Sequence, residues 1–176
     1  MRLKHYLSCM LILLSFITVN AQEKKGLKEG DQAPTFKYLD INGKEVSLSD
    51  LKGKYVYIDV WATWCGPCLK EFQYLPALKE KAHNMDVVYL YISIDRPEER
   101  KKWEKTIAYH QLKGYHLLVN EKLGKSLYTE LGNERQILSI PCFVIIDKTG
   151  KIAIRHAAAP SEPEKVIEQL STYYNK

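Results

Sequence analysis

The stretch WATWCGPC, Trp61 to Cys68, joins an apolar run, YVYIDV, to a segment whose apolar residues recur at helical spacing. The run before it is β-branched and aromatic on both faces, which reads as a central buried strand. After Cys65 the residues Leu69, Phe72, Leu75, Leu78 and Ala82 recur at three and four positions, a helix that Pro76 is expected to kink. Two cysteines one helical turn apart therefore stand where a central strand hands over to a helix. Such a pair can be a metal clip, a structural crosslink, or a dithiol that opens and closes during turnover.

Cysteine usage narrows the choice. The chain of 176 residues has four cysteines, enough length for one domain with a real core. Its first residues carry Arg2 and Lys4, then an apolar stretch from Leu7 to Val19 too short to span a bilayer well, then VNA before Gln22. Residues 1–21 are read as a secretory signal cut after Ala21, residues 22–29 as a flexible Lys-rich lead-in, and 30–176 as the folded domain. An uncleaved anchor is the alternative. Cleavage removes Cys9 and leaves Cys65, Cys68 and Cys142, an odd count with the third more than seventy positions away. That is not a structural disulfide framework. It also removes two of the 26 basic residues and none of the 21 acidic ones, so 24 basic residues against 21 acidic give +3. A balance so mild, with its charges interleaved as in RPEERKKWEK, gives no reason to expect a nucleic-acid partner.

The rest of the chain alternates. TFKYLDINGKEVSL reads as a hairpin about Asn42-Gly43, and DVVYLYISI as a second buried strand. Asp95, Pro97 and Glu98 are expected to cap, start and box a helix running to about Tyr109. GYHLLVN reads as a short strand or an extended segment, and EKLGKSLYTEL as a helix ending at Gly132. SIPCFVIID and KIAIRH form an antiparallel pair about KTG, and Ser161 with Glu164 is expected to box a last helix. This order implies an α/β fold, a mixed sheet with helices on both faces.

A cysteine at a helix start has its sulfur near unpaired backbone N–H groups and the positive end of the helix dipole, both of which favour thiolate. Cys65 is therefore the expected nucleophile, and Cys68, on the same face but further inside, the resolving thiol. Pro67 falls in the first turn, where its missing N–H is harmless, and Gly66 lets another chain approach. Zinc would need four ligands, and neither a second cysteine pair nor ligand-spaced histidines are present. No cofactor is required by a dithiol exchange.

With VWATWCGPC after a buried strand and SIPCF far downstream, the chain resembles the thioredoxin superfamily. Its N-terminal hairpin, the long segment between YISID and SIPC and the export signal make it most similar to the extracytoplasmic TlpA/ResA-like thiol-disulfide oxidoreductases. The resemblance implies a thioredoxin-like mixed sheet with an N-terminal β-hairpin and an inserted helical segment. It implies that Trp64 flanks the dithiol, and that Pro141 is the cis-proline beside it, with the backbone at Ile140 able to pair with an extended substrate. Asp59, six residues before Cys65 within an apolar strand, should carry a raised pKa suited to proton exchange with Cys68, and it matches the buried aspartate of thioredoxin. Glu71 matches a glutamate near the dithiol in ResA-like members, and it equally suits the dipole of its helix. Cys142 is the departure, since relatives commonly carry threonine there; alternation turns it away from the dithiol, as a buried inert thiol, the alternative being a third redox thiol that traps Cys65 or Cys68 and alters recycling.

The expected activity is an exported, periplasmic reductase of protein disulfides, recharged by a membrane electron donor and not inserted in the membrane after cleavage. Two rivals stand beside it. A thiol peroxidase of the same superfamily would place threonine three before the reactive cysteine and proline further upstream, where this chain has Ala62 and Ile58, with Thr63 one place off. A non-catalytic binding module would use the Cys65–Cys68 bridge only as a crosslink.

Overall fold

The computed structural model describes residues 26–132 and 138–174. The expected signal, 1–21, lies outside the described residues. The chain enters with Gly30 N–H donating to the Ile152 carbonyl (2.8 Å) and Ala33 N–H to that of Gly150 (3.0 Å). Contacts begin earlier than Gly30: Leu27 packs on the core, and the Glu29 carboxylate accepts from the Arg155 amide at 3.2 Å.

Strands β1 (Lys37–Leu39) and β2 (Glu45–Ser47) pair antiparallel. Their turn is organised by Asp40, whose Oδ1 accepts from the amides of Asn42 (2.9 Å) and Lys44 (2.8 Å), and Gly43 supplies the positive φ of +74° that the reversal needs. Then follow β3 (Tyr55–Trp61), α1 (Gly66–Glu71), a 3₁₀ turn at Phe72–Tyr74, and α2 (Leu75–Lys81). The expected kink is thus a full break of the helix at the turn before Pro76. Next come β4 (Val87–Ser93), a 3₁₀ turn at Pro97–Glu99, α3 (Arg100–Tyr109), β5 (Tyr115–Leu118) and α4 (Glu121–Leu131). Strands β6 (Cys142–Ile146) and β7 (Ile152–Ile154) and helix α5 (Pro163–Tyr174) complete the described chain.

The main sheet runs β5-β4-β3-β6-β7, with β3 parallel to β4, β4 parallel to β5, and the β3–β6 and β6–β7 pairs antiparallel. Because β3 is central, all seven of its residues are buried. Alternation divides them. Val56, Ile58 and Val60 join Leu123 and Leu127 of α4 on one face. Tyr55, Tyr57 and Trp61 face the opposite layer, with Phe72, Leu75 and Leu78 of the broken helix, Trp103 and Ile107 of α3, and Val166 and Leu170 of α5. Helices therefore cover both faces, as the order of elements implied. Asp59 shares the second face. Each neighbouring aromatic contributes roughly 1.5–3 kcal/mol by burial, which offsets the roughly 1–3 kcal/mol cost of one unpaired polar group on the strand.

Two local expectations are corrected. Asp95 does not cap the helix that follows; the Arg96 amide reaches the Glu99 carboxylate instead (3.4 Å), and Asp95 turns into the core. Ser161 does not box α5. Its amide and hydroxyl donate to the Glu71 carboxylate at 2.9 and 3.1 Å, while Glu164 pairs with Lys81 at 3.0 Å. In both cases a tertiary partner competes successfully for a short polar side chain that local spacing assigned to a cap.

Candidate active site

Chain direction builds the site. Strand β3 ends at Trp61, and Cys65 N–H donates to the Ala62 carbonyl (3.1 Å), closing a turn that delivers Cys65 to the N-cap of α1. Cys65 and Cys68 are joined as a disulfide, with Cα atoms 5.3 Å apart. The Cys68 amide, one of the donors that a helix start leaves without an intrahelical partner, points at the Cys65 sulfur at 3.2 Å. Once the bridge is reduced, that N–H favours an anion on Cys65. Cys68 is the deeper of the two, 1% exposed against 6% for Cys65.

The surface around Cys65 is open. Trp64 is 58% exposed, Gly66 and Pro67 are exposed in the first turn of α1, and a Cβ on Gly66 would meet nothing within 4 Å. Gly66 is thus not demanded by packing within the chain. Across the sheet, the register that sets Cys142 opposite Val60 brings Pro141 to the level of Trp61, at the strand end where the dithiol loop departs. The Ile140–Pro141 peptide is cis, and Ile140 packs against the cluster that contains both cysteines.

Asp59 is 1% exposed, and neither carboxyl oxygen has a hydrogen-bond partner. Burial, reinforced by the negative charge of Glu71, raises its pKa well above the ordinary carboxylate range. It lies on the face of β3 covered by the broken helix that carries Cys68. Glu71 itself is held by Ser161, so it bears on the site through charge while its oxygens are engaged elsewhere. Cys142 is buried on the opposite face with Val144 and Ile146; burial pushes its thiol up to about 11, and it forms no bridge. His116, to which the sequence assigned no role, is buried in β5 and stacked on Tyr91 with ring centroids 4.8 Å apart.

Sequence reasoning missed Asp95. Fully buried just beyond β4, it accepts from the Thr63 amide (2.9 and 3.2 Å to its two oxygens), the Thr63 hydroxyl (2.7 Å) and the Ser93 hydroxyl (2.6 Å). The signal was present: a second acid at the end of a buried strand, like Asp59 within one. The same bonds show that the Thr63 hydroxyl is committed to Asp95. Among the described residues no cluster of three or more His, Cys, Asp or Glu could hold a metal ion, and no helix is long and apolar enough to cross a bilayer.

A dithiol at the amino end of the helix that follows the central strand of such a sheet defines a thioredoxin-fold thiol-disulfide oxidoreductase, and solved structures share the architecture. One solved in solution, described as a thiol-disulfide oxidoreductase of Bacteroides vulgatus, is 39% identical with a TM-score of 0.64, covering 81% of this chain and 90% of that one. The chain belongs to the Redoxin family, whose model matches residues 28–171. It is similar to the thiol-disulfide oxidoreductase ResA of Bacillus cereus, 30% identical over 88% of this chain and 81% of the relative. ResA of Bacillus subtilis is 32% identical over 73% and 67% respectively. The chain is an oxidoreductase of this kind, and its Cys65–Cys68 pair stands at disulfide distance.

Proposed function

We propose that this is an exported reductase of protein disulfides, working in the periplasm and recharged by a membrane electron donor. The Cys65 thiolate attacks one sulfur of a substrate disulfide; a mixed disulfide forms, and the displaced substrate sulfur leaves as a thiolate and takes a proton. Cys68 then loses its proton to the Asp59 carboxylate and attacks the Cys65 sulfur. The second substrate thiol is released, the substrate has gained two electrons, and the Cys65–Cys68 bridge is closed. Trp64, Gly66 and Pro67 form the surface that meets the substrate, and the backbone at Ile140, held by Pro141 ahead of β6, pairs with an extended substrate segment as in strand addition. Glu71 acts by raising the pKa of Asp59. The donor that reopens the bridge is a membrane dithiol, and the mature protein begins at Gln22 without stable insertion.

The observation that supports this reading is the Cys68 N–H aimed at the Cys65 sulfur, which favours an anion on Cys65 as the attacking thiol. The test is a trap. Cys68→Ala, expressed with its own leader, is expected to accumulate covalent adducts with exported proteins that vanish on reduction and are absent from the Cys65→Ser, Cys68→Ala double variant. Adducts surviving in the double variant, or none at all beside a folded protein, would remove the mechanism.

A further inference from the structure

Two walls of the molecule meet beside Cys65. One is Trp64, borne by the turn that follows the buried Thr63; the other is Arg96 to Glu99, and together Trp64, Arg96, Glu98 and Glu99 line a depression of about 600 Å³. The walls come from different strands, β3 and β4. Asp95 joins them: its carboxylate takes the amide and hydroxyl of Thr63, one residue before Trp64 and two before Cys65, and its own chain continues directly into Arg96. Ser93 completes the clamp in both directions, donating its hydroxyl to Asp95 Oδ2 at 2.6 Å and accepting from the Asp95 amide at 3.1 Å.

We propose that Asp95 is a positioning residue of the thiol exchange, one that pins the Thr63 turn to the end of β4 and so fixes Cys65 and Trp64 against the Arg96–Glu99 wall. It touches neither substrate nor sulfur. The argument is geometric: the Thr63–Cys65 segment is a turn with no strand partner of its own, and a turn is where a shift of an ångström is easiest. Reactions of positioned groups are sensitive to shifts of that size. A carboxylate receiving two donors from a single residue restrains both the position and the rotation of that peptide, which one hydrogen bond would not.

The inference rests on Cys65 being the attacking thiol, so the experiment reads that first. In the reduced full chain, site-resolved alkylation with iodoacetamide across pH gives the rate and midpoint at Cys65 and Cys68, and insulin reduction gives kcat and KM. Asp95→Asn keeps the shape but replaces one acceptor oxygen by a donor; it is expected to lower kcat/KM about tenfold. Thr63→Val replaces only the hydroxyl by a methyl and leaves the Asp95 carboxyl group in place. It is expected to raise the Cys65 midpoint, because the Sγ contact with the Cys68 amide loosens, and Thr63→Ser is expected to bring the midpoint back. The control is Asp40→Asn, which alters another buried carboxylate that holds a turn, in the hairpin, replacing the Oδ2 that accepts from the Asn42 side chain by a donor while Oδ1 keeps its two amides. It is expected to lower the melting temperature without moving the Cys65 profile. Asp95→Asn and Thr63→Val behaving like Asp40→Asn, with kcat, KM and midpoint unmoved, would overturn the proposal. Faster alkylation of Cys68 than of Cys65 in the parent would overturn the thiol assignment itself, and the proposal with it. Should Asp95→Asn fail to fold, the Val and Ser variants at Thr63 decide alone.

Discussion

Asp59 and Asp95 are the same residue at nearly the same depth, 1% and 0% exposed, one within β3 and the other just beyond the end of its neighbour β4. Asp59 has no partner for either oxygen, and burial pushes its pKa far upward. Asp95 receives three donors from Thr63 and Ser93. Burial alone therefore does not decide what a carboxyl group does. Without donors its charged form is unfavourable, and it becomes a group that holds a proton and can exchange it; with donors it becomes a fixed anchor for backbone. The dithiol loop starts from both, Asp59 on the strand behind it and Asp95 at its side.

The contrast is broken most severely at Asp59. Asp59→Asn cannot accept the Cys68 proton, so release of the mixed disulfide is expected to slow about a hundredfold near neutral pH, within the range of general-base effects. Formation of the mixed disulfide should change little, because Cys65 owes its thiolate to the helix start. Rapid-mixing measurement of the two phases separates these steps; equal slowing of both would place Asp59 in the attack as well.

Stability sharpens the same contrast. Since the pKa of Asp59 is raised on folding, the unfolded chain loses this proton first as pH rises, and stability falls between the unfolded value and the raised folded one. The favourable contribution is complete only below the unfolded pKa. Asp59→Asn has nothing to titrate, so its stability relative to the parent is expected to climb with pH across that window, by up to ~1.4 kcal/mol per pH unit for one proton. Urea unfolding at several pH values measures it; parallel curves for parent and variant would mean that Asp59 is ionised when folded.

What the sequence made readable follows from how local each signal is. The dithiol, the strand before it and the hairpin turn rest on adjacent residues, and each stands where spacing put it. Asp59 was readable because an acid inside an apolar strand has no local partner to explain it. Asp95 was misread for the opposite reason: beside Pro97 and Glu98 it had a plausible local role as a cap, while its partners lie on Thr63, 32 positions away, and on Ser93. Ser161 was misread alike, its partner Glu71 being 90 positions away. Short polar side chains near helix starts satisfy local and distant partners equally well, and only packing chooses between them.

The finest probe of the contrast is Ser93, which touches Asp95 and neither cysteine. Ser93→Ala removes the 2.6 Å donor to Oδ2 and the acceptor for the Asp95 amide, yet leaves both Thr63 donors in place. If Asp95 is an anchor whose work is done through Thr63, this change is expected to lower stability by about 1–3 kcal/mol, at about 0.5–1.5 kcal/mol for each of the two lost hydrogen bonds. The phase governed by Asp59 should keep its rate and pH dependence. A proton carrier behaves otherwise: a role for Asp95 in proton transfer would appear as a slowed resolving step. Measuring the rate of that step beside the urea midpoint therefore separates anchor from carrier at a residue whose substitution leaves the carboxyl group, the turn and both sulfurs in place.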